Sequence, residues 1–319
     1  MDTTKSTSPF IALSAGLLLL LLCLAPLYAS NFFLFVVVML MINMVWATAT
    51  WGIFHQAGQA LFAVVVIAGV GGYSTALLGQ WIPNAWITIP LALLASTIIG
   101  IFFYFMATRV RGHIQFAVLN LSFIFIFRYI IVAFTTVTGG IDGIQVRNFY
   151  PESFFAPMWR KYIVVLILCS VALLLIHLAM NSRFGKIITL IGRNPQLAAT
   201  AGINNEKYIF LAYLFFTPML GLGGILFSHF VGHVAPETWN PDLSLIIVFC
   251  TLIGGSNSIL GPMVGAILAT AIPIYLDLAE EFRFGLIGVM AILIFVFQPE
   301  GVTAWLRDRL LPKIEVWQR

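Results

Sequence analysis

Charge is the scarcest commodity in this chain: 9% of its 319 residues are charged and 61% are hydrophobic. A soluble domain carries about 25% charged residues, so a soluble fold is excluded. Acidic side chains are absent from the apolar runs altogether, since all twelve fall in loops, junctions or termini. A proton-coupled carrier usually needs an intramembrane carboxylate or histidine relay, and its absence argues against that class. His177, near the cytoplasmic end of its run, is the one exception.

Cysteine is nearly missing. Cys23, Cys169 and Cys250 all sit inside apolar runs, with a spacing that suits neither zinc nor a disulfide framework. His55, His113, His177, His229 and His233 show no ligand spacing to cysteines or carboxylates, so no metal site is expected. The G-x-x-x-x-G-K-[ST] phosphate loop is also absent. Any ATP and Mg used must therefore be handled by another chain, and no catalytic residue and no enzyme activity are expected here. The alternating pattern of barrel strands is missing as well.

The chain is built instead from long apolar runs. Stretches longer than ~18 residues read as transmembrane helices, and only helices or closed barrels satisfy their backbone in lipid. Spans are expected near 10–28, 32–50, 60–78, 86–107, 114–138, 162–180, 209–231, 243–253, 259–275 and 284–297. The reading is an all-α polytopic membrane protein with about ten transmembrane helices, one transmembrane domain over 1–319. Lys5, the run Phe10–Leu24 and the small-residue exit Tyr28-Ala29-Ser30 resemble a signal peptide, but an uncleaved first span suits a polytopic chain better.

Orientation follows from the basic residues. With the N-terminus inside, the inner loops hold Lys5, Arg109, Arg111, Arg183, Lys186, Arg193, Lys207, Arg307, Arg309, Lys313 and Arg319. The outer loops hold Arg147, Arg160, Lys161 and Arg283. This positive-inside asymmetry places both termini in the cytoplasm. It also accounts for the basic pI of about 9.1 without nucleic acid. The run 243–253 reaches only ~16 Å at 1.5 Å per residue, too short for a ~30 Å hydrocarbon core. Gly254-Gly255-Ser256-Asn257 breaks it and Gly261-Pro262 opens the next helix, so 243–275 makes either two crossings or a re-entrant pair.

Between two runs lies the polar stretch GRNPQLAATAGINNEKY, Gly192–Tyr208. Asn194 is a good N-cap, Pro195 fits the first helical position, and Gly202 suits the residue just past the end. A helix of about two turns is expected, too short to stand alone in water, so it should pack against something. It is either a well-capped connector or a docking helix whose small Ala198, Ala199 and Ala201 let a partner approach. Inside the runs, Arg128 costs ~3 kcal/mol on insertion scales and demands a partner: a substrate carboxylate, or broken-helix carbonyls, or another subunit. Asn43, Gln59 and Asn120 are either polar groups of a pathway or interhelical glue. Gly261 and Gly265 form a G-x-x-x-G pair, and Gly221, Gly223 and Gly224 crowd one span. Both sets read as close-packing positions, with a hinge as a further possibility.

These stretches together carry a family resemblance. Gly192–Lys207 followed by Leu220-Gly221-Leu222-Gly223-Gly224 resembles the cytoplasmic coupling loop of ABC importer permeases. The likeness is greatest to the branched-chain amino-acid permease family, closer to the M than the H subunit of the Liv system. Ala57-Gly58-Gln59, Gly72–Leu78, Arg109–Gly112, Thr138–Ile144, Gly254–Pro262 and Pro299-Glu300-Gly301 are similar to further blocks of that family, in the same order. The chain departs from it at Phe125, where many members have a carboxylate, and at Ile191–Gln196, where "AIREN" is commoner.

The resemblance implies a type II-like ABC importer permease fold with a coupling loop over 181–207. In it Arg193, Asn194, Pro195, Gln196, Ala198, Ala199, Ala201, Gly202 and Lys207 would dock on an ATP-binding cassette subunit. Asn43, Gln59, Tyr73, Asn120, Arg128, Thr138 and Asp142 would be candidates for the translocation path. Gly221, Gly223, Gly224, Gly254, Gly255, Gly261, Pro262 and Gly265 would serve packing or hinging. It further implies a second homologous permease, a periplasmic or lipid-anchored solute-binding protein, membrane lipid, and a bacterial inner-membrane location. The solute would be a branched-chain amino acid or a related small polar solute such as urea or an amide. A sugar permease, an ATP-independent carrier or channel, and a membrane scaffold or receptor are the alternatives.

Overall fold

The computed structural model describes residues 30–82, 84–110, 112–146, 158–255, 258–275, 280–298 and 301–303. The expected first span 10–28 lies outside these residues, as do Lys5, Cys23, Arg111, Arg147, Ser256, Asn257, Pro299, Glu300, Arg307, Arg309, Lys313 and Arg319.

Helix α1, Asn31–Trp51, opens where the Ser30 hydroxyl accepts the Phe33 N–H at 3.3 Å. It continues without a break as a π-turn, Gly52–Gln56. Helix α2 follows at Val64–Trp81, α3 at Ala85–Arg109 and α4 at His113–Ala133. Then come α5, Met158–Asn181, α6, Arg183–Arg193, and α7, Pro195–Thr200. The chain ends with α8, Asn205–Val231, α9, Pro241–Gly254, α10, Leu260–Tyr275, and α11, Glu280–Phe297. Two two-residue strands, β1 (Ile144–Gln145) and β2 (His233–Val234), pair antiparallel.

Among the described residues six helices are long and apolar enough to cross a membrane: Asn31–Gln56, Val64–Trp81, Trp86–Arg109, Ile114–Ala133, Met158–Asn181 and Asn205–Val231. The architecture is that of an all-α, multi-pass membrane protein; the expected spans over 243–297 are shorter helices, and the expected span 10–28 lies outside the described residues. α9 has 14 residues, about 21 Å of helix, short of a ~30 Å core. The segment between α8 and α9, strand β2 followed by a 3-10 turn at Pro236–Thr238, makes up part of the difference. Trp239, just before α9, packs against Gly69 and Gly72, midway along α2, so the strap after α8 has already descended to that level.

Several boundaries differ from the sequence reading; α5, α8 and α11 each start four residues earlier, at Met158, Asn205 and Glu280. α2 begins at Val64 rather than near residue 60, because Ala57–Ala63 is irregular, with Gly58 at φ +68°. α4 ends at Ala133 rather than Thr138. Thr135–Thr138 forms a separate turn closed by Gly139 at φ +71°, a left-handed conformation that favours glycine.

The core is the crossing of α1, α2 and α8. A Cβ on Gly71 would strike the Gly221 carbonyl, and one on Gly224 would strike the Ala68 carbonyl. A Cβ on Gly223 would overlap the Trp46 indole, whose Nε1 donates to the Leu220 carbonyl at 3.0 Å. Glycines at such positions let helix backbones approach and gain dispersion contact, the main attraction left where lipid removes the hydrophobic one.

Candidate functional site

The helix pair α6 and α7 projects between two membrane-length helices, and each turn of it has a local cause. α6 was not foreseen, although Phe184, Ile187, Ile188 and Ile191 have the helical spacing of an amphipathic element. Its Ile188 and Ile191 are buried and Arg183 and Arg193 are exposed. Asn194 ends α6 and starts α7, its Oδ1 accepting the Leu197 N–H at 3.0 Å, with Pro195 in the first turn. At the other end Ile203 N–H donates to the Ala198 carbonyl at 3.1 Å and Gly202 N–H to the Ala199 carbonyl at 3.0 Å. That bond pair, with Gly202 at φ +77°, is a Schellman closure. Asn205 Nδ2 further donates to the Pro195 carbonyl at 2.8 Å, tying the start of α8 to the start of α7.

This closure decides which side chains face outward. Arg193, Asn194, Pro195, Gln196, Ala199, Ala201, Gly202 and Lys207 are exposed. Ala198 is not: it is 0% exposed, turned into the chain by the helix it helps to close. Its place on the docking face is corrected accordingly. Leu197, not singled out from sequence, is 54% exposed and is the one large apolar side chain on that face.

Behind the pair lies the π-turn of α1. The Thr189 hydroxyl donates to Gln56 Oε1 at 2.6 Å. A Cβ on Gly192 would strike the Gln56 carbonyl, and one on Gly58 would lie 3.0 Å from the Gly192 Cα. The early block Ala57-Gly58-Gln59 and the polar stretch 192–208 thus meet backbone to backbone. Gln56 and Thr189 gave no signal in sequence, because their pairing spans 133 positions.

The remaining candidates fall at several places. Asn120, fully buried, donates to the Phe116 carbonyl at 2.7 Å and to the Ala60 carbonyl at 3.3 Å, bracing the irregular segment. Gln59, in that segment, reaches the Ala57 carbonyl at 3.4 Å. Asn43 Nδ2 donates to Thr270 Oγ1 at 3.2 Å, joining α1 to α10. Tyr73 packs edge-on against Phe127 with ring centroids 6.4 Å apart, and its buried hydroxyl has no partner among the described residues. Arg128, near the end of α4, is half-buried and has no hydrogen bond or ion pair among the described residues.

Thr138 donates to the carbonyls of Ile131 (2.5 Å) and Phe134 (2.8 Å), finishing α4. Asp142 is exposed, at the tip of a loop with Gly139, Gly140 and Gly143 all at positive φ. That loop is held by the β1–β2 pairing and by Val146 N–H donating to the Gly232 carbonyl at 2.9 Å. Glu206 and Asp242 lie in the first turns of α8 and α9, where the helix dipole favours a carboxylate.

The α9–α10 break forms a second backbone junction. Gly261 fits against Gly254 and Gly255, and Gly265 against the Cys250 carbonyl; Pro262 lies in the first turn of α10. Gly255 has φ +99°. The C-terminal turn seats on the same spot: Gly301 leaves no room for a Cβ beside Gly255, and the Thr303 hydroxyl donates to the Gly254 carbonyl at 2.6 Å. Among the described residues no cluster of three or more His, Cys, Asp or Glu could hold a metal ion.

A sequence model of the family described as "Branched-chain amino acid transport system / permease component" matches residues 33–296. The chain belongs to this family. Among curated members, it is 23% identical to the high-affinity branched-chain amino acid transport system permease protein LivM of Salmonella typhimurium over 268 residues. That match covers 76% of this chain and 63% of LivM, so the chain spans less than two thirds of that relative's length. LivM of Escherichia coli K12 is likewise 23% identical over the same coverage. The autoinducer 2 import system permease protein LsrC of E. coli SMS-3-5 is 25% identical over 248 residues, covering 72% of this chain and 70% of LsrC. No solved structure matches significantly.

Proposed function

We propose that this chain is the transmembrane permease subunit of an ABC importer, lodged in a bacterial inner membrane with both termini cytoplasmic. A separate ATP-binding cassette subunit hydrolyses ATP with Mg, and this chain is not itself an enzyme. A second homologous permease and a periplasmic or lipid-anchored solute-binding protein complete the complex. The observation that supports this best is α7: a short helix with caps at both ends and an exposed small-residue face, between two membrane-length helices of a family member. A helix that short is not stable by itself, and docking gives its outward face a use.

The solute is a branched-chain amino acid or a related small polar solute such as urea or an amide. The LivM likeness favours it. The LsrC likeness supports the second reading, import of an oxygen-rich, sugar-like solute, and competition uptake separates the two.

The experiment is Leu197→Arg. A long cation on the exposed face should abolish co-purification of the ATP-binding subunits and lower uptake by roughly tenfold or more, since buried interface contacts of this kind are worth ~1.4 kcal/mol or more each. The chain itself should elute as the wild type does. Normal assembly and uptake in that variant would sink the docking reading.

A further inference from the structure

The π-turn at the end of α1 touches two places that the fold otherwise keeps apart. On one side Gln56 accepts the Thr189 hydroxyl of α6 at 2.6 Å, and its carbonyl lies against Gly192, the next-to-last residue of that helix. On the other side His55 Nε2 and the Thr251 hydroxyl of α9 are 3.3 Å apart. Thr251 lies one turn from the α9 break, and its carbonyl accepts the Gly255 N–H at 3.2 Å. The two side chains are adjacent in sequence and serve different neighbours.

The geometry of the turn suits movement. Ala57 N–H donates to the Gly52 carbonyl at 3.1 Å, an i→i−5 bond, and Gln59 N–H reaches further back to Ile53 at 3.0 Å. A π-turn holds one residue more than an α-turn, and such bulges are frequent at functional sites. Shifting its register by one residue rotates the downstream chain by about 100° and advances it by ~1.5 Å. Gly52 is hemmed by the Phe216 ring of α8, which fixes the start of the turn, while its far end is held to α6, where the Gln56 carbonyl and Gly58 lie against Gly192. Coupling between sites requires an element with two discrete arrangements that both sites bias; the π-turn seen here is one, and the α-helical register is the second that a relay requires.

We propose that the π-turn Gly52–Gln56 relays movement of α6 and α7 to the α9–α10 break, with Gln56 and His55 as its positioning residues. Displacing α6 pulls Gln56 through Thr189. The turn then re-registers, and His55 shifts its hold on Thr251, loosening or tightening the last turn of α9. The break, where Gly301 and Thr303 are seated on Gly254 and Gly255, is the part that responds. The role of this relay in transport rests on the importer reading; its mechanical part does not.

The test uses the full chain in detergent and in its assembled complex. In Thr189→Val, amide exchange over 248–255 should rise about fivefold, within the range of couplings carried between separated sites, while exchange over 118–131 in α4 stays as in the wild type. Thr189→Ser, which keeps the hydroxyl, should restore wild-type exchange. Unchanged exchange over 248–255, an equal rise in α4, or a Thr189→Ser variant behaving like Thr189→Val would each overturn the relay. In the complex, Thr189→Val and Thr251→Val should be non-additive: the double variant takes up solute no worse than the weaker single one, although the two residues share no hydrogen bond. Losses that multiply would overturn it. A wild-type complex with no ATP-driven uptake would instead overturn the importer reading, and the exchange data would still decide the relay.

Discussion

Helices α2 and α4 are both apolar and long enough to span a membrane, yet they live in opposite surroundings. In its most apolar window α2 is 67% buried within the chain and α4 22%. α2 carries four glycines and one tyrosine, whereas α4 carries no glycine and five phenylalanine or tyrosine residues. Mean hydropathy does not track burial across the set, because lipid tails accept leucine and phenylalanine as readily as a protein core does: Asn31–Gln56 at 2.3 is 61% buried and Trp86–Arg109 at 2.1 is 28% buried. Small residues do, because they alone allow backbones to touch. The same contrast sets α8, with its Gly221, Gly223 and Gly224, against α3 and α5, whose windows are each only 28% buried.

The largest effect should come from filling the central crossing. Gly224→Val places methyl groups where the Ala68 carbonyl already lies and should cost about 3 kcal/mol or more. Size-exclusion in detergent should then show loss of the monodisperse peak. Trp46→Phe, also central, removes the indole N–H from the buried Leu220 carbonyl and should cost about 1–3 kcal/mol, read as a lower thermal unfolding midpoint. Arg128→Leu moves to the periphery. With no partner among the described residues, its loss should leave the chain's own unfolding within about 0.5 kcal/mol of wild type while lowering uptake by the complex. A destabilised chain would show that α4 is more central than its burial says. Val118→Ala, at a position 59% exposed on α4, should be smallest, under about 0.5 kcal/mol. A cost comparable to Trp46→Phe would erase the distinction between the two helix sets.

Local chemistry was legible before any fold. The caps of α7 at Asn194, Pro195 and Gly202 were readable because each satisfies its own backbone groups within a few residues. The short α9 and its glycine break were readable for the same reason, as length and punctuation are properties of a segment. α6 was legible in its apolar spacing but missed, because that spacing comes directly after the apolar run of α5. Ala198 was misassigned because an alanine on a two-turn helix carries no mark of which way it faces; the Schellman bond from Ile203 and the packing behind it decide that. The span count was legible only in part, since the first expected span lies outside the described residues and an apolar run shows that a segment is buried in lipid or protein, not that it is a full-length helix.

Sequence alone determined that this chain is an all-α membrane protein, where its helices are punctuated, and which family it belongs to. These features arise from composition, hydrophobic run length and backbone bonds closed locally. Only the tertiary structure decided that Gly58 faces Gly192, that Gln56 meets Thr189, and that Gly301 seats on Gly255. Each of these contacts joins residues far apart in the chain through a backbone or one hydroxyl, and no hydrophobic pattern encodes which distant partner will arrive.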